Sequence, residues 1–141
     1  MSQSDGGDKV YFLFVQFACK REVYKMKKNF SLIDERFQEE FMAIFAIGLT
    51  QCLKQNLIDT ERAEQWLFSP VVAHNLKEKG YDKKFLYAME YASELDAAKG
   101  EEFFLKSVKK AKKFFMQALD GIDRIPVDSG EHIMEGLCEL K

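Results

Sequence analysis

Two groups of charged residues hold most of the chemistry that this chain can offer. The first is acidic and surrounds the single Trp: Asp59, Glu61 and Glu64 precede Trp66 in DTERAEQW, and Glu94 and Asp96 follow in YASELDA. An indole left partly exposed beside carboxylates is the make-up of a protein-binding anchor, with the acids steering a basic partner onto it. The second group is basic. Lys106, Lys109, Lys110 and Lys113 in KSVKKAKK recur along two turns of a helix, where they could track phosphates. The Phe residues of that helix are expected on its opposite face, with no aromatic side chain among the lysines. A solvated back face is therefore the preferred reading of the lysines, and nucleic acid ranks behind protein as a partner.

Other chemistries lack their residues. His74 and His132 are isolated, with no His or Cys three or four positions on, so no metal is assigned. Cys19, Cys52 and Cys138 are an odd number with no CxxC pair, which fits reduced, buried thiols in a cytoplasmic protein. The eight Gly residues form neither GxGxxG nor GxxxxGK, so no phosphate cradle and no cofactor follow. Glu94 and Asp96, or Asp59 and Glu61, stand two apart, and on a helix such side chains point to different sides. No catalytic residue is assigned. An enzyme assembled from distant residues would need a deep polar pocket holding Cys, His or paired carboxylates.

The elements that must position these groups read as mainly α. With 141 residues, 47% apolar content and thirteen Phe, the chain has material for one compact domain. The net charge of -2 gives no overall drive toward nucleic acid or an anionic membrane. Residues 1–8 are expected to be a disordered lead-in and 9–141 a single helical domain. Residues 9–18 are rich in β-branched and aromatic side chains, and 21–30 are their candidate partner in a small N-terminal β-hairpin. No stretch has the basic start of a secretion signal, and the run FMAIFAIGLTQCL falls short of the roughly twenty residues that span a bilayer.

About five helices are expected from period and punctuation. The first covers 31–56, starting at Ser31 and turning Phe37, Phe41, Ile44, Phe45, Gly48, Leu49, Cys52 and Leu53 inward. Gly48 at its middle suggests that another element crosses close to the backbone there. Asp59 or Thr60 caps a short second helix, and Ser69-Pro70 starts a third that Gly80 closes. Asp82 caps a fourth running to about Ala98, and a fifth covers 101–119. Asp128-Ser129-Gly130 is a turn, and 131–140 can form a last short helix. Of the three adjacent apolar residues at 66–68, Leu67 and Phe68 are expected in the core and Trp66 at its edge.

The run IGLTQCLKQNLIDTERAEQWLFSP, then a helix with a Leu and Lys-Gly, then YASELDA, resembles a family of small bacterial helical proteins catalogued only as a domain of unknown function. The resemblance covers roughly residues 43–120 and rests on Gly48, Asn56, Ala63, Leu67, Phe68, Ser69, Pro70, Gly80, Glu94 and Leu95. It implies a helical fold and carries no catalytic assignment. The resulting expectation is a non-enzymatic, cytoplasmic bacterial protein-binding module, either monomer or homodimer, with no membrane partner. Its most concrete form is an immunity-type protein that occludes a toxin through Asp59, Glu61, Glu64, Trp66, Glu94 and Asp96. The alternative is a nucleic-acid or nucleoprotein accessory factor using the basic face of 106–113.

Overall fold

A computed structural model describes residues 33–134, which are mainly helical. The expected lead-in at 1–8 and hairpin at 9–30 lie outside these residues, as do Ser31, Cys19 and Cys138. The chain divides into two units, Glu39–Arg124 and the pair Met1–Gln38 with Ile125–Lys141. In the second unit, Asp34 opens a 3-10 turn at Glu35–Phe37 by accepting the Arg36 backbone N–H at 2.9 Å. The Arg36 guanidinium also donates to both Asp34 oxygens, at 3.2 and 2.9 Å, a forked charge-assisted pair. Gly130, at φ +91°, shapes the DSG turn, which the Glu131 N–H closes on Asp128 at 3.0 Å. Residues 131–134 are not helical, and the rest of the expected last helix is outside the described residues.

Helix α1 spans Gln38–Lys54. Asn56 stops it in the left-handed conformation, φ 60°, while the Leu57 N–H reaches back to Cys52 O at 2.9 Å. Asn takes the place that Gly usually holds in this stop, because its short polar side chain tolerates positive φ. Helix α2, Thr60–Trp66, is capped by Asp59, whose carboxylate accepts from the Arg62 N–H at 2.8 Å. Helix α3, Pro70–Glu78, is capped by Ser69 through the Val72 N–H at 3.1 Å, with Pro70 at the first helical position. Gly80, at φ +83°, ends it with the Tyr81 N–H bonded to Leu76 O.

Helix α4 runs over Lys83–Ala92 from an Asp82 cap, and it stops earlier than its apolar period suggests. Ser93 donates its hydroxyl to Glu90 O at 2.8 Å, an alternative to the next helical bond, and a 3-10 turn at Leu95–Ala97 then buries Leu95. Helix α5, Glu101–Asp120, packs most extensively against α4. The core of Glu39–Arg124 centres on three rings. Phe115 stacks on Phe68 at 5.5 Å and meets the edge of Phe85 at 5.7 Å. Leu67, Met89 and Val108 surround them, all fully buried.

Helix α1 joins this core on a different side from the one its large residues mark. Leu49 and Leu53 are buried as expected, as is Phe37 just before the helix, but Ala43, Ala46 and Thr50 are buried with them, while Ile44 and Gly48 are exposed and Phe41, Phe45 and Cys52 only half-buried. At 100° per residue the buried arc is turned by about a third of a circle from the expected stripe. Small Ala side chains let the α1 backbone approach the core closely, an approach that the Phe stripe would prevent. Among the described residues no element crosses Gly48: a Cβ placed there would meet none of their atoms within 4 Å.

Candidate functional site

The side chains displaced by this rotation make an aromatic face on α1 and α2. Phe41 and Phe45, one turn apart, stack with centroids 5.9 Å apart. Trp66 adds its edge to Phe45 at 5.8 Å and 76°. The indole is 60% exposed, whereas its neighbours Leu67 and Phe68 are buried. Trp66 therefore has one edge held by Phe45 and most of its surface free. Holding a large ring in one rotamer while leaving it in water is costly unless something covers it, which is how interface anchors behave. Ile44, Gly48 and the half-buried thiol of Cys52 continue the same strip along α1.

The acidic residues that the sequence groups with Trp66 are not gathered around it. Asp59 is engaged as the α2 cap and Glu61 is exposed in the first turn of that helix. Glu64 stands two residues from Trp66, about 200° around the helix, and so points to the opposite flank. There it borders the seam between α2 and the 3-10 turn, together with Asp96, Leu53, Phe68 and Leu95. Glu94 faces away again, into a groove of about 390 Å³ between α3 and α4. Glu64 and Asp96 are thus brought together, and Trp66 and Glu94 are each elsewhere.

That groove also carries His74, Lys77 and Glu90 along an open rim over Ala73 and Leu86. Among the described residues these side chains make no hydrogen bond or ion pair with one another. Among the described residues no group of three or more His, Cys, Asp or Glu side chains is placed to hold a metal ion. No helix of the described residues is long and apolar enough to cross a membrane.

The basic face of α5 differs from its expected form. Lys106, Lys109, Lys110 and Lys113 are exposed, as their spacing requires. Aromatic rings nevertheless lie among them. The Lys110 ammonium sits 5.6 Å from the Tyr91 ring centre and 5.9 Å from that of Phe114. Tyr91 and Tyr87 of α4 both meet Phe114 edge to face, at 5.3 and 5.1 Å. The signal was present in the spacing: Phe103, Lys110 and Phe114 are separated by seven and four residues and share one face of a helix. The tyrosines come from α4 and carry no such local mark.

Residues 34–130 match the family described as Protein of unknown function (DUF3969), and because they are more than half of the chain, the protein belongs to that family. No curated protein and no solved structure is similar enough to match.

Proposed function

We propose that this member of the DUF3969 family is a non-enzymatic protein-binding module of the bacterial cytoplasm that acts by occluding its partner. Its most concrete form is an immunity-type protein that neutralises a toxin. The observation that carries the reading is Trp66, 60% exposed at the end of the Phe41–Phe45 row. A pocket on the partner that accepts the indole would complete the desolvation that Phe45 begins. Asp59, Glu61, Glu64 and Asp96 serve a different step. Helix α2 is seven residues long, about 10 Å, so its acids lie within roughly one Debye length of Trp66 at physiological salt. They favour a basic partner during approach without touching the anchor.

Co-expression with the products of adjacent genes tests this. A one-to-one complex is expected, together with restored growth where the partner is toxic, and Trp66→Ala is expected to weaken the complex by about 30-fold, the scale of a hot-spot residue. Charge reversal at Glu61 and Glu64 is expected to slow association at low salt and leave dissociation nearly unchanged. Equal binding by the wild type and Trp66→Ala would refute the anchor.

A further inference from the structure

We infer that the α4–α5 face bearing Lys110 binds single-stranded nucleic acid, independently of the Trp66 face. Three observations converge on it. First, Lys106, Lys110 and Lys113 lie within about 60° of one another around α5, with Lys109 beside them, so their charges form one strip along two turns. Second, the strip is interleaved with rings: Tyr87 and Phe103 are 57% and 59% exposed, and Phe114 and Tyr91 are half-buried beneath Lys110. Third, the rings are spread out. Phe103 and Phe114 share one face of α5 eleven residues apart, about 16 Å along its axis, which matches a short run of successive bases and exceeds a single one.

Cations that track a backbone beside rings that can stack on bases are the two parts of a sequence-tolerant single-strand site. A duplex would use the lysines and leave the rings idle, because its bases are already stacked. An anionic bilayer fits less well: Lys110 sits directly over Tyr91 and Phe114, so sinking those rings into hydrocarbon would carry the ammonium with them. The carboxylates bound the strip. Glu102, one turn before Lys106 and about 40° around α5 from it, closes the N-terminal end of the strip, and Glu90 lines the α3–α4 groove, so the anionic strand is confined to the seam beyond Glu102. Lys84, whose ammonium reaches 3.8 Å from the Cβ position of Gly121, extends positive charge toward the C-terminal end of α5.

Fluorescence anisotropy of the full chain with a labelled oligo-U strand, at 50 and 200 mM salt, tests the proposal. For three or four phosphate contacts, log K is expected to fall against log salt with a slope of about -2 to -3. Lys110→Gln and Lys106→Gln are each expected to flatten that slope by about 0.7. Tyr87→Ala and Phe103→Leu are expected to weaken binding about tenfold with the slope unchanged. Both rings are exposed, and circular dichroism of each variant verifies that the helices remain. Three results would overturn the proposal: no binding at 50 mM salt, equal affinity for a duplex, heparin or anionic vesicles, or binding unaffected by the loss of Tyr87 and Phe103.

Discussion

Gly48→Ala is expected to stabilise the protein and to weaken any complex formed on the aromatic face of α1. Gly48 lies in the interior of a 17-residue helix, is exposed, and would bring its new Cβ within 4 Å of no atom of the described residues. A Gly inside a helix costs about 1 kcal/mol relative to Ala, because the unfolded chain is freer at Gly. With no clash to subtract, the gain is about 0.5–1 kcal/mol, which raises Tm by roughly 3–6 °C for a domain near 100 residues. Thermal unfolding of the full chain, followed by far-UV circular dichroism, reads this directly. The same methyl stands between Ile44 and Cys52 on the strip that Phe41, Phe45 and Trp66 extend. A partner that packs closely along α1 is held off there, so affinity is expected to fall while Tm rises. An unchanged or lower Tm would refute the reasoning, since it would mean that atoms already pack against Gly48 in solution and that this face of α1 is closed.

Phe115→Ala is expected to cost about 3–5 kcal/mol in a urea melt, because it removes the ring between Phe68 and Phe85; a loss under about 1.5 kcal/mol would contradict the packing. At Asn56, φ 60° makes Gly neutral or slightly stabilising and Val destabilising by about 1–2 kcal/mol, a contrast that paired denaturation curves measure. The Arg36 guanidinium and backbone N–H beside Asp34 hold its carboxyl below the usual carboxylate range. Because the folded pKa is the lower one, the stabilisation is present above the unfolded value of about 3.9 and is lost as pH falls through the folded value. An NMR titration is expected to show an acid-shifted Asp34 that returns toward the ordinary value in Arg36→Ala.

The boundaries that were legible in the sequence are those whose chemistry closes within a few residues. Asp59, Ser69-Pro70 and Asp82 each satisfy an N–H two or three positions on, and Gly80 turns the chain at a positive φ, so their meaning does not depend on the rest of the molecule. Trp66, Leu67 and Phe68 were legible for a related reason. Three adjacent large residues cover too wide an arc for one helix face, and the two followed by Ser69-Pro70 turn inward while the indole stays out. The end of α4 was not legible, because Ser93 reads equally well as a helical residue and as a stop until Leu95 finds its place in the core.

The amino-acid sequence by itself determined that the chain is mainly helical, where most of its helices begin, and which residues carry the positive face of α5. Tertiary packing decided which way α1 turned and what surrounded the charges. From Phe41 to Ile47 that helix is apolar on every side, so periodicity names no single inner face. Close packing chose the Ala43–Ala46 side for the core and left the Phe41–Phe45 row beside an exposed Trp66. The same pairing of α4 with α5 placed Tyr91 and Tyr87 among the lysines, a contact between residues far apart in the chain that no local spacing encodes.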